Sequence, residues 1–200
     1  MRIAGLDEVG RGALAGPLVA AGVILKSSRF KNQGSITRLD DSKKLKHEHR
    51  AKLYKEIIGS GAEVVTEVIS VRQVNNRGMG WANKEIFRRI IRKMEADKYI
   101  VDGNLRLGRI NGKSAKVKSV VKADASRKCV MAAAIVAKEF RDEIMNQLHG
   151  EFPKYGWRSN KGYGTKGHIQ AIRDYGAVKY HRDVYVNTVL SGDLSVNKLA

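Results

Sequence analysis

Two short apolar runs, residues 2–7 (RIAGLD) and 18–25 (LVAAGVIL), lie close together with only a glycine-punctuated stretch between them. Each is too short for a buried helix and is bounded by turn residues, so both read as core strands joined tightly. A chain that opens this way builds a sheet first, and whatever follows has to extend or cover it. Residues 46–58 (KHEHRAKLYKEII) place Leu53, Ile57 and Ile58 at helical spacing with charge on the other faces, and Gly59 to Gly61 stop the helix. Residues 63–70 alternate as a strand, and 81–96 return to helical spacing with Ile86, Ile90 and Met94 on one stripe. Tyr99–Val101 and Val117–Val121 read as short strands. Residues 126–148 read as a long helix whose apolar first half suits burial, and a final helix spans 166–175. This order predicts an α/β fold around one central sheet. A length of 200 residues suits one main core, taken as residues 1–150, with residues 151–200, rich in Tyr, Lys, Arg and Gly, as a C-terminal extension packed on it.

The charge balance points to the partner. Lys and Arg number 38 against 20 Asp and Glu, a net charge of +18 whose self-repulsion is costly unless a polyanion is bound. Between Arg106 and Lys128 the sequence carries Arg106, Arg109, Lys113, Lys116, Lys118, Lys122, Arg127 and Lys128 against Asp124 alone. A solvated face has no need of that excess, whereas phosphate contact does. The single Cys129 excludes a disulfide framework, and only 2 Pro exclude a Pro-rich disordered chain. The longest uncharged run, Ala13 to Leu25, is too short to span a bilayer and follows Asp7 and Glu8, where a signal peptide would carry basic residues. The expectation is a monomeric cytoplasmic protein with no membrane contact.

In so basic a chain the carboxylates at strand ends stand out: Asp7 and Glu8 after IAGL, Asp102 after YIV, Asp124 after VVKA. Strand ends of an α/β sheet gather at one edge, where separate carboxylates converge only if cations lie between them. Hard oxygen donors favour Mg2+ or Mn2+. A basic surface for phosphates around an acidic pocket for metals suits a nuclease. The simpler alternative is that Asp102 and Asp124 cap turns or helices beside Gly103 and Ser126. The rival function is a non-catalytic, charge-driven nucleic-acid binder. Other chemistries find less support. No phosphate-loop pattern fits Gly5 to Gly16 or the stretch ending Gly112-Lys113-Ser114, the five histidines lack zinc spacing, and Cys129 in an apolar helix reads as a small buried residue. Gly10-Arg11-Gly12 is the candidate reader of a ribose 2′-hydroxyl, because two glycines let the backbone approach the sugar while Arg11 reaches a phosphate.

The ordered motifs Asp7-Glu8-Val-Gly10-Arg11-Gly12, Asp41-Ser42-Lys43-Lys44-Leu45, Val101-Asp102-Gly103, Lys122-Ala-Asp124, Ala132 to Lys138, and Gly162-Tyr163-Gly-Thr165 with His168 resemble those of ribonuclease HII over residues 1–185. The resemblance implies a ribonuclease H-like domain, a mixed central sheet flanked by helices with a small C-terminal helical extension. It implies metal-dependent hydrolysis of RNA paired with DNA, including single ribonucleotides in duplex DNA, leaving 3′-hydroxyl and 5′-phosphate ends. The implied metal carboxylates are Asp7, Glu8, Asp102 and Asp124. Ser42, Lys43 and Lys44 are implied phosphate anchors, and Tyr163 is the implied residue that packs on the sugars. The chain departs from the family pattern at Met131, at Gly164 and over Ser126-Arg127-Lys128, which border the fourth carboxylate and the tyrosine.

Overall fold

The computed structural model describes residues 1–26, 47–108, 110, 116–123 and 127–192. Among these residues five strands form one sheet: β1 (Ile3–Val9), β2 (Leu18–Ile24), β3 (Glu63–Ile69), β4 (Lys98–Asp102) and β5 (Lys116–Val120), in the order β3-β2-β1-β4-β5. The sheet is mixed. β2 runs antiparallel to β1, with Gly5 opposite Val23 and Val9 opposite Val19, while β4 is parallel to both β1 and β5. Helices among the described residues are α1 (His47–Gly59), α2 (Val71–Arg77), α3 (Met79–Lys93), α4 (Lys128–Glu151), α5 (Trp157–Asn160), α6 (Lys166–Tyr175) and α7 (Asp183–Leu190).

The described residues group into two compact units. One is drawn from Met1–Val9, Val19–Glu67 and Lys84–Glu139, the other from Gly10–Leu18, Val68–Asn83 and Phe140–Ala200. The first holds most of the sheet. Every residue of β2 is apolar or glycine and buried, as in a strand covered on both faces. The Ile86, Ile90 and Met94 stripe is buried as its spacing requires. On α1, Leu53 and Ile57 are buried but Ile58 is 46% exposed, a correction to its place on the apolar face. One residue on from Ile57, it is turned about a quarter of the way round the helix. At Gly5 a side chain would run into the backbone of Cys129 and Val130, so the start of α4 lies directly against β1 and the missing Cβ is what lets it do so.

The second unit has an aromatic core. Tyr155 stacks on Trp157 with ring centroids 5.1 Å apart, and Leu14, Met145, Leu148, Tyr185, Val186 and Val189 pack into the same cluster. Two of its helices run against the sequence reading. The strand expected over 63–70 ends at Ile69, and Ser70 instead caps α2: its hydroxyl accepts the Gln73 amide at 3.2 Å while the Gln73 side-chain oxygen accepts the Ser70 amide at 3.1 Å. The helix expected over 166–175 is present but is not the last, because α7 follows. The β-branched composition of DVYVNTVL argues for a strand, and burial of Tyr185, Val186 and Val189 overrides it.

Candidate active site

The candidate carboxylates belong to the sheet unit. β1 runs to Val9, so Asp7 and Glu8 lie within the strand rather than after it, and Asp102 is the last residue of β4. The parallel register ends with Leu6 opposite Val101, which makes Asp7 and Asp102 the next residue on each of two adjacent strands. Residues in one row of a sheet project from the same face, so these carboxylates are neighbours. Asp7 is 9% exposed. One oxygen of Asp7 accepts the Glu8 amide at 2.8 Å, and one oxygen of Asp102 accepts the Ala123 amide at 2.7 Å. Each carboxylate is thereby held by a backbone amide. The bond from Ala123 also ties the end of β4 to the chain leading to Asp124, which itself lies outside the described residues.

These donors suit a hard cation. Carboxylate oxygens held side by side by main-chain amides repel one another unless a positive charge lies between them, and oxygen-only sets select Mg2+, Mn2+ or Ca2+. Among the described residues, no three His, Cys, Asp or Glu side chains form a set that would hold an ion by themselves.

The second unit carries the loop and the tyrosine. Gly10 has φ +93°, a conformation that favours glycine, and a side chain there would strike the Arg141 guanidinium. Arg11 and Gly12 are half-buried. Two fully buried arginines hold this stretch from beneath. Arg182 donates to the carbonyls of Gly10 (2.6 Å), Arg11 (2.9 Å) and Gly16 (2.8 and 3.0 Å), and Arg141 to those of Ala15 (3.0 Å), Pro17 (3.0 Å) and Lys161 (2.8 Å). Burial lowers the pKa of both, and the Arg141 charge pushes Arg182 further, to about 10. At about 10, Arg182 remains a cation at neutral pH. Tyr163 joins the same assembly: the Arg141 guanidinium lies 5.4 Å from its ring centroid, and the Gly162 carbonyl accepts the Leu14 and Ala15 amides at 2.8 and 3.1 Å.

Behind Tyr163 lies a neutral histidine pair. His168 Nδ1 donates to the Tyr163 carbonyl at 2.9 Å, leaving Nε2 to accept the Trp157 indole N–H at 3.0 Å. His181 Nδ1 accepts the Val178 amide at 2.9 Å, so its Nε2–H points at His168 Nε2, 3.2 Å away. Tautomers here follow from the partners. Burial pushes both pKa values down, and for His181, which also faces His168, to about 4.

The remaining expected residues separate by position. Ser42, Lys43 and Lys44 lie outside the described residues, as do Arg109 and Lys113 with most of the expected basic hairpin. Arg106, Lys116, Lys118, Lys122, Arg127 and Lys128 are exposed. Burial raises the Cys129 thiol, which disfavours the thiolate. Sequence reasoning missed Arg141 and Arg182. Among 38 basic residues no spacing separates two buried guanidiniums from solvated ones.

A mixed five-stranded sheet flanked by helices, with Asp7 and Asp102 in register on adjacent parallel strands, fits the ribonuclease H-like class of nucleases. Within that class the family model described as Ribonuclease HII matches residues 4–188. A curated ribonuclease HII from Wolbachia sp. subsp. Brugia malayi (strain TRS) is 42% identical over 182 residues, 90% of this chain and 85% of that protein. Among solved structures, the chain is similar to ribonuclease HII from Archaeoglobus fulgidus, determined in complex with PCNA (TM-score 0.77, 26% identity, 90% of this chain and 91% of that one). It is also similar in fold to ribonuclease H2 from Pyrococcus horikoshii OT3 (TM-score 0.80, 23% identity, 96% and 98% covered). The chain belongs to the ribonuclease HII family, metal-dependent endoribonucleases that act on RNA–DNA hybrids. Nothing in these similarities favours the non-catalytic binder. Among the described residues no helix is long and apolar enough to cross a membrane.

Proposed function

We propose that this chain cleaves RNA strands paired with DNA, and single ribonucleotides within duplex DNA, using Asp7, Glu8, Asp102 and Asp124 to hold one or two Mg2+ or Mn2+ ions. The observation that carries this reading is the pairing of Asp7 and Asp102 at one row of the sheet, each oriented by a backbone amide. When bound, such ions supply Lewis acidity, activating water for in-line attack on phosphorus and stabilising the leaving 3′ oxygen, so the products carry 3′-hydroxyl and 5′-phosphate ends. The protein's own groups do the positioning. The four carboxylates set where the ions sit, Gly10-Arg11-Gly12 meets the 2′-hydroxyl through its backbone, and Tyr163 packs on the ribose and the adjoining deoxyribose. Ser42, Lys43 and Lys44 anchor phosphates, and the exposed cations from Arg106 to Lys128 hold the duplex electrostatically. The protein works as a cytoplasmic monomer. The deciding experiment incubates it with Mg2+ or Mn2+ and a duplex containing one ribonucleotide, resolving the products by gel and mapping their ends. Cleavage at the ribonucleotide with a 5′-phosphate is expected, and binding without cleavage under either ion overturns the reading.

A further inference from the structure

The carbonyls of residues 10–17 are unusually occupied from below. The Arg182 side chain takes those of Gly10, Arg11 and Gly16, its own backbone amide takes that of Leu14 at 2.8 Å, and Arg141 takes those of Ala15 and Pro17. Turns are ordinarily closed by backbone amides alone, which are neutral and cost little to bury; in this one the Ala13 amide does reach the Gly10 carbonyl, at a long 3.4 Å, and the guanidiniums are added to it. Here two guanidiniums lie fully buried and near enough for the charge of one to lower the pKa of the other. Burying two like charges is expensive, so a merely structural turn has cheaper solutions.

The geometry at Gly10 and Arg11 suggests what the expense secures. All peptide bonds in the described chain are trans, and in a trans peptide the N–H points opposite to the C=O of the same plane. Arg182 Nη1 holds two successive carbonyls, Gly10 at 2.6 Å and Arg11 at 2.9 Å, toward the buried side. The amides of those planes belong to Arg11 and Gly12, and they face the other way. We propose that Arg182 is a positioning residue for sugar discrimination: by pinning these two carbonyls inward it presents the Arg11 and Gly12 amides outward as paired donors to the 2′-oxygen of the ribose. This rests on the reading of Gly10-Arg11-Gly12 as the 2′-hydroxyl sensor. The fork of arginine spreads its donors over separate nitrogens, Nη1 on Gly10 and Arg11 and Nε with Nη2 on Gly16, and the single nitrogen of an ammonium does not hold both ends of the loop at that spacing.

Arg182→Lys keeps the charge and removes the fork, so it separates geometry from long-range attraction to phosphate. Steady-state cleavage of a single-ribonucleotide duplex is measured with an all-DNA duplex as competitor, alongside a thermal melt. The expected result is that kcat/KM falls by more than about tenfold, the size of a well-placed hydrogen bond, while the competitor's inhibition constant stays within about twofold. A folded Arg182→Lys protein with wild-type kcat/KM overturns the proposal, as does an equal loss toward both duplexes. Amide hydrogen exchange on the wild type gives a second readout that does not depend on the variant folding. Arg11 and Gly12 amides are protected by the ribonucleotide duplex and not by the all-DNA duplex, and absence of that difference overturns the proposal independently. Gly12→Val distinguishes the two layers. If it leaves ribonucleotide cleavage intact, the loop is not the sensor and the underlying reading fails. If it abolishes cleavage while folded Arg182→Lys does not, only the positioning role fails.

Discussion

The histidine pair behind Tyr163 makes the fold sensitive to acid in a way that can be worked out from its bonds. Both rings are neutral, and each available nitrogen is committed: His168 Nδ1–H to the Tyr163 carbonyl, His168 Nε2 to the Trp157 and His181 donors, His181 Nδ1 to the Val178 amide. A proton added to either ring removes an acceptor and leaves a buried donor facing a donor. The unfolded chain has no such objection and protonates near 6.5, while the folded His181 resists to about 4. The unfolded state therefore binds more protons between those values, so this contribution is fully present above about pH 6.5 and is lost as pH falls toward about 4. At about 1.4 kcal/mol for each pH unit, the loss approaches about 3 kcal/mol. For a protein of this size that corresponds to a fall of about 6 to 12 °C in melting temperature. The assay is urea or thermal unfolding followed from about pH 7.5 to about pH 4, comparing wild type with His181→Asn. The asparagine oxygen can still accept the Val178 amide and cannot take a proton, so the variant starts less stable but loses less on acidification. The carboxylates titrate equally in both proteins, and the difference between the two curves isolates the histidine. Parallel curves would refute the reasoning.

Asp102→Asn, or Asp124→Asn, is expected to abolish cleavage with the fold intact and duplex binding kept or improved, since an amide is a poorer ligand for a hard cation and removes charge near phosphates; turnover and binding assays on each variant check this. Duplex affinity should fall with salt at a log–log slope of about 0.9 per phosphate neutralised, and replacing Lys113, Lys116 and Lys118 by Ala should flatten it by up to about three units, read by titration at several salt concentrations. Tyr163→Ala should lower cleavage at a lone ribonucleotide by more than about tenfold in a circular-dichroism-verified fold, because a ring held against Arg141 is lost. Gly5→Val should destabilise the sheet unit by at least about 3 kcal/mol in chemical unfolding, because the added side chain meets the backbone of α4 rather than a side chain that can turn aside.

The sequence by itself determined most of the sheet and where its acids fall. Apolar runs bounded by glycine specify strands through local burial alone, and Asp102 was legible as the carboxylate that ends β4, whereas β1 continues past Asp7 and Glu8 to Val9. The motif order from Asp7 to His168 made the family legible as well, because those residues are set by chemistry that tolerates few alternatives. What the sequence did not determine has a common cause. α2 and α7 are too short for propensity to decide, and they form because Val71, Val74, Tyr185, Val186 and Val189 find a core to enter. The side-by-side placement of Asp7 and Asp102 depends on a parallel register between strands 95 residues apart, which no local pattern encodes. Arg141 and Arg182 read as ordinary surface cations, since their role exists only once residues 10–17 return to lie over them. Local energetics selects elements one at a time, whereas burial of a charge or registry of two strands is a property of residues distant in the chain, and only the tertiary structure brings those together.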